Sequence, residues 1–221
     1  RDHIAFDASI RTVSKQALRD SFEVGNNVSQ ELKPPLGQLP VVTSVHYNWK
    51  CLRKLMDAKQ VGRQIYADSV LLPDTATEAE LALAREVTEN VLVADAELIR
   101  SEMGTSDGVV RGLCNFVVGF PISLPVAKLQ APILVLDGLG SGQNVGQVLR
   151  TAYHFGITSV VASKGAWANL NGRACRVSMG WMYFMDFHRA DSMRETLLDL
   201  KRIGIHIYVA EDPARPHQHR Q

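Results

Sequence analysis

From residue 132 onward, apolar positions switch between short unbroken runs and a three-to-four-residue spacing. "PILVLD" reads as a buried strand, 144 to 155 as a helix and "ITSVVAS" as a strand. "NLNGRACRVSMG" reads as a helix, "WMYFMDF" as a strand, 191 to 203 as a helix and "GIHIYVAE" as a strand. Strands separated by helices of this length predict βαβ units on a parallel sheet. "DPARPHQHRQ" shows neither period.

Residues 41–120 carry a second α/β pattern. Trp49, Leu52, Leu55 and Met56 fall at helical spacing with cations around the other face. "QIYADSVLLP", "NVLVA" and "GVVRGLCNFVVG" read as strands. Between them lie a helix with Leu81, Ala84 and Val87 inward and a short helix capped by Asp95 and Gly104. Before this unit, "IRTVSKQALRDSFEVG" has the spacing of one helix, ended by turn formers and Pro34-Pro35. The division is therefore a peripheral segment 1–40, a small α/β domain 41–120, a linker 121–131 containing Pro121 and Pro125, and a parallel-sheet domain 132–221.

Composition narrows the class. With 221 residues, 46% hydrophobic, the chain can bury a sizeable core. A formal charge of +1 means that any nucleic-acid contact comes from a local patch. The patch on offer is "KCLRKLMDAKQVGR", where Lys50, Arg53, Lys54, Lys59 and Arg63 face only Asp57; a solvated helix face is the competing reading. Cys51, Cys114 and Cys175 are widely spaced and odd in number, which excludes a disulfide framework and a cysteine-only zinc site. Three unpaired thiols fit a reducing compartment, mitochondrial or cytoplasmic, with the mitochondrial one preferred. No apolar run is long enough for a membrane span, and the expected partner is not a membrane. Arg1 rather than Met opens the chain; an organelle presequence and a boundary of the segment itself explain this equally well. His217 and His219 are too isolated in a proline-broken stretch to indicate a metal, and none is expected.

Candidate chemistry concentrates in "GLGSGQNVGQVLRTA", residues 138 to 152. A glycine turn capped by Asn144, with Val145, Val148, Leu149 and Ala152 inward, is the structural reading. A dinucleotide site is the second. Gly140, Gly142 and Gly146 give GxGxxxG rather than GxGxxG, and the next strand ends in Ser163 and Lys164 instead of an acid, so NAD is disfavoured and NADP alone remains open. In the third reading Gly146 and Arg150 share one helix face, the glycine clearing space above a permanently charged guanidinium suited to phosphate.

The stretch "LVLDGLGSGQNVGQVLRTAYHFGI" resembles the first motif of the SpoU family of RNA ribose methyltransferases, within the SPOUT superfamily. That motif is a strand and turn followed by Asn-x-Gly-x-x-x-Arg-Thr/Ser-Ala, matched by Asn144, Gly146, Arg150, Thr151, Ala152 and Gly156. "GRACRVSMGWMYFMDF" is similar to the family's Arg-x-Ser-Met-Gly segment through Arg176, Ser178, Met179 and Gly180. "SVHYNWKCLRKL" and "GTSDGVVRGL" are loosely similar to the opening and closing of the family's small N-terminal domain.

The resemblance implies an α/β fold made of a small N-terminal RNA-binding domain and a C-terminal parallel-sheet SPOUT domain of trefoil-knot type. It implies S-adenosylmethionine as methyl donor, no metal, and a homodimer acting on ribosomal or transfer RNA or on a maturing ribosomal subunit. Asn144 and Arg150 become the catalytic candidates. Lys50, Arg53, Lys54, Lys59, Arg63 and Arg176 become the RNA-binding ones, Arg176 with a subunit contact as its alternative. Two departures stand against this. "GSGQN" replaces the family's Asp-Pro-Gly-Asn turn. The family's cofactor loop of Gly-x-Glu-x-x-Gly type and its Ser-Leu-Asn segment are not found after Glu211, so the SPOUT domain is expected to be incomplete as it stands. An intact enzyme within a longer chain and a catalytically inactive, SpoU-derived RNA-binding or ribosome-assembly factor are the two outcomes.

Overall fold

The structure, a computed structural model, describes residues 11–12, 30–32, 41–103 and 114–210. In chain order the elements are β1 (Arg11–Thr12), β2 (Gln30–Leu32), β3 (Val41–Tyr47), α1 (Trp49–Gln60), β4 (Tyr66–Pro73), α2 (Glu78–Val87), β5 (Val91–Ala94), α3 (Ala96–Met103) and β6 (Asn115–Gly119). A 3₁₀ turn at Val126–Lys128 leads into β7 (Ile133–Leu136), α4 (Gly142–His154), β8 (Ser159–Ser163), α5 (Lys164–Ala168) and α6 (Gly172–Val177). A second 3₁₀ turn (Trp181–Phe184), β9 (Asp186–Ala190) and α7 (Met193–Arg202) follow.

The strands form two sheets, one of six strands in the order β1-β5-β4-β6-β3-β2 and one of three in the order β7-β8-β9. The smaller sheet is parallel throughout, as the alternating pattern predicts. The larger is mixed: β4 runs parallel to β5 and antiparallel to β6, which pairs antiparallel with β3. Leu81, Ala84 and Val87 are the buried stripe of α2, as read, and Thr77 and Glu80 add a reciprocal capping box that the reading did not single out.

One hydrophobic cluster serves both sheets. It runs from Leu52, Leu55 and Phe116 to Leu149, Tyr183 and Phe187 without a break. Each fully buried side chain of that size contributes about 1.5–3 kcal/mol, so the two units stabilise each other. The connecting segment is pinned too: Leu124 N–H donates to Phe187 O at 2.7 Å and Gln130 N–H to Ser159 Oγ at 2.9 Å.

Three expectations change. The predicted strand over "WMYFMDF" divides, its first half turning as 3₁₀ and only Asp186–Ala190 joining the ladder. Gly180, at φ 79°, causes the turn; a Cβ there would meet Lys54 Cβ at 2.6 Å. The predicted strand over "GIHIYVAE" makes no ladder among the described residues, with Tyr208 91% and Val209 82% exposed; alternation alone supplies no hydrogen-bonding neighbour. Finally, Arg11–Thr12 lies in a strand beside β5 rather than in a helix. Most of the predicted N-terminal helix, the Gly104 cap, "GTSDGVVRG" and the His217/His219 pair lie outside the described residues. No helix among those described is long and apolar enough to cross a membrane.

Candidate functional site

Helix α4 rises from the carboxyl end of β7, where ligands of parallel α/β sheets gather. It begins at Gly142 with Ser141 as N-cap, two residues before the expected Asn144 cap. The small residues permit the early start: a Cβ on Gly142 would lie 2.9 Å from Asn171 Oδ1. Asn144 is thereby the third helical residue, on the exposed side with Gln147, Arg150 and His154.

The loop before α4 is held by neighbours from the next crossover. Gly138 N–H donates to Ser163 Oγ at 3.2 Å, and Asn169 Nδ2 donates to Leu139 O at 3.3 Å. Asn171 caps α6 by accepting from the Arg173 and Ala174 amides, and Arg173 donates to Gln143 Oε1 at 3.0 Å. These contacts brace "GSGQN" where the family's turn uses Asp and Pro. The sequence reading singled out neither Asn169 nor Asn171, although an Asn before a helical pattern is an N-cap signal.

Gly146 plays a different part from the one expected. A Cβ there would come within 2.6 Å of Ala174 O and 2.7 Å of Val177 Cβ, so the glycine admits α6 against α4. The space is filled by backbone and opens nothing above Arg150. The Arg150 side chain is exposed, and its carbonyl accepts from His154 Nδ1 at 2.7 Å.

The expected cluster of free cations is also smaller than its count. Arg63, beyond the end of α1, donates to Asp186 Oδ1 at 2.8 Å and to Phe184 O. Lys59 Nζ donates to Val87 O at 2.7 Å. Lys54 pairs with Asp57 at 3.0 Å and lies 4.3 Å above the Trp181 ring, which stacks on Tyr153. Helix termini and packed rings draw long cationic side chains inward along their stems. Lys50 and Arg53 remain exposed on α1, and the Arg176 guanidinium lies 5.9 Å from the Tyr47 ring centre. Neither α4 nor α6 contains an acidic residue, and the one acid of α1 is already paired. Lys50 and Arg53 of α1, Arg150 of α4 and Arg176 of α6 thus lie on helices whose one acid, Asp57, is taken up by Lys54.

Beneath this surface lies a polar chain. Cys175 Sγ donates to Tyr183 OH at 3.2 Å, Tyr183 OH meets His46 Nδ1 at 2.5 Å, and His46 Nε2 meets Ser44 Oγ at 2.8 Å. The donors balance with His46 neutral and its proton on Nε2, a tautomer assigned from this network. Burial lowers the His46 pKa to about 3 and raises those of Cys175 and Tyr183. A lone histidine in "SVHYN" gave no hint of a partner 137 positions away. Among the described residues no group of His, Cys, Asp and Glu could hold a metal ion.

A parallel sheet with a braced glycine loop at its carboxyl end and exposed cations on the helices beside it define an α/β protein with a cationic face. Residues 131–220 match the model of the SpoU rRNA Methylase family. The chain is 35% identical over 75 residues to the 23S rRNA (guanosine-2'-O-)-methyltransferase RlmB of Neisseria meningitidis, a match covering 34% of this chain and 30% of that protein. It therefore spans about a third of the curated relative that it matches. Two solved structures share its fold. The rRNA methyltransferase from Sinorhizobium meliloti aligns over 88% of this chain and 70% of its own, with TM-score 0.58 and 14% identity. The SpoU methyltransferase AviRb from Streptomyces viridochromogenes, in complex with the cofactor AdoMet, aligns over 72% and 59%, with TM-score 0.59 and 14% identity.

Proposed function

We propose that this chain is an RNA ribose 2′-O-methyltransferase using S-adenosylmethionine, acting on ribosomal or transfer RNA. The observation that carries the reading is the exposed Arg150 on a helix without acids, inside the stretch that matches the family model. The named activity of the RlmB relative and the AdoMet complex of AviRb support the substrate and the donor.

S-adenosylmethionine, when bound, supplies a methyl group on a sulfonium to a ribose hydroxyl that gives up its proton. Toward the donor, the stretch 205–209, which the resemblance places near it, is largely exposed, and residues 205–208 line an open cavity with Lys201 and Gly204. What the described residues provide is the acceptor side. In this reading Arg150 holds the ribose hydroxyl and a neighbouring phosphate, and its guanidinium keeps its charge throughout. Asn144, one and a half turns earlier, orders the loop facing the same strand of RNA. Lys50, Arg53 and Arg176 meet phosphates, a sequence-independent contribution. A homodimer on a maturing ribosomal subunit, in a mitochondrial or cytoplasmic compartment, completes the reading; the buried, unpaired Cys51, Cys114 and Cys175 support a reducing environment.

The departure of "GSGQN" from the family's turn favours one competing reading, an RNA-binding or assembly factor without turnover. Calorimetry with S-adenosylmethionine and transfer of labelled methyl groups to RNA separate the two. Saturable binding and incorporation are expected, and absence of both overturns the enzyme reading.

A further inference from the structure

The two sheets meet across a seam with unusual chemistry for a core. On one side stand Ser44 and His46 of β3, on the other Cys175 of α6 and Tyr183 of the 3₁₀ turn. His46, Cys175 and Tyr183 are fully buried, and their hydrogen bonds run unbroken from one unit to the other. Apolar side chains alone would fill this space while tolerating small shifts of one unit over the other. A 2.5 Å contact between Tyr183 OH and His46 Nδ1 does not, because any slip strands two buried polar atoms away from water. The seam is also clasped at its edge, where Arg63 of one unit donates to Asp186 and Phe184 O of the other. Gly172 brings the backbones into contact, a Cβ there falling 2.3 Å from Val45 O.

We propose that the chain Ser44–His46–Tyr183–Cys175 is a positioning device: it fixes α1, with Lys50 and Arg53, against α4 and α6, with Arg150 and Arg176, so that one RNA meets both units as a single surface. The RNA part of this rests on the function proposed above; the lock itself does not. His46 and Tyr183 are positioning residues and touch no substrate. Their effect is on the alignment of two half-sites, since simultaneous contacts on a rigid frame add where those on a loose one are lost to entropy.

The test measures alignment directly. Because the three native cysteines are buried, spin labels attach selectively to cysteines introduced at the exposed Gln60 and Lys201, one on each unit. In the otherwise unaltered protein the label–label distance is expected to be narrow. In Tyr183→Phe it broadens or shifts, and affinity for a fluorescein-labelled RNA hairpin falls about tenfold with a shallower salt dependence. A double variant, His46→Leu with Tyr183→Phe, removes both polar partners. It is expected to regain thermal stability over Tyr183→Phe while keeping the broad distance, a separation that mere core filling would not produce. Narrow distances in both folded variants overturn the lock whatever the RNA does. Broad distances with unchanged hairpin affinity uphold the lock and overturn the RNA surface.

Discussion

Helices α1 and α4 are nearly equal in length, amphipathic and packed on the same core, yet their polar faces end up in opposite states. The basic run of α1 and the loop after it holds five cations, and three of these are engaged internally, by Asp57 and Trp181, by Val87 O and by Asp186 with Phe184 O. Helix α4 has one arginine, and it stays exposed with Asn144, Gln147 and His154. The difference follows from surroundings: α1 lies in the angle between two units, whereas the outer face of α4 meets Trp181 only beside His154 and Arg173 only beside Gln143, and Arg150 stays exposed. Charge counted along a chain is therefore a poor measure of charge offered to a ligand.

Experiments can break this contrast at several points, beginning with the largest effect. Replacing Arg150 with Ala is expected to cut methyl transfer by about 100- to 1000-fold, the scale of a lost transition-state donor, with S-adenosylmethionine binding unchanged by calorimetry; unaltered transfer would remove α4 from the active surface. Next comes acid sensitivity at the seam beneath α1. Unfolded His46 takes a proton below its ordinary 6.5, while the buried ring refuses one down to about 3. Stability is therefore complete above that upper value and declines as pH falls toward the lower one, by up to about 1.4 kcal/mol per pH unit. Urea titrations at neutral and acidic pH should show that slope, and His46→Phe should flatten it. Gly146→Ala, which forces α4 away from α6, should cost about 1–3 kcal/mol of stability, seen as a lower Tm. Smallest, and sharpest for the comparison, is the salt dependence of RNA binding. Lys50→Ala with Arg53→Ala should lower its log–log slope by about 1.5. Lys59→Ala should leave the slope as it is, and an equal fall there would show that the internally bonded lysine is available after all.

The parallel order of β7, β8 and β9 was readable because βαβ units announce themselves through a change of period. The inward faces of α1, α2 and α4 were equally local. The 3₁₀ turn at Trp181–Phe184 was not readable: it follows a left-handed Gly180 that packs where a Cβ would meet Lys54, from a distant part of the chain. At the site, the motif marked Asn144, Gly146 and Arg150. It misassigned the reason for Gly146, and it said nothing of Asn169, Asn171, His46 or Tyr183. Asn171 carried a local N-cap signal that went unused, whereas Asn169, His46 and Tyr183 act through partners far along the chain, and no spacing rule links them to the motif.

Sequence alone determined most elements from α1 to α7, though not β3, α5 or the two 3₁₀ turns, and which helix carries the motif's residues, because those depend on interactions a few residues apart. Only the tertiary structure decided which cations remain outside, which glycine is a packing contact, and that a neutral histidine and a tyrosine join the two units. Each of these depends on desolvation and on distances between segments far apart in the chain. Whether a polar group stays available is settled by what comes to lie beside it when the chain closes on itself.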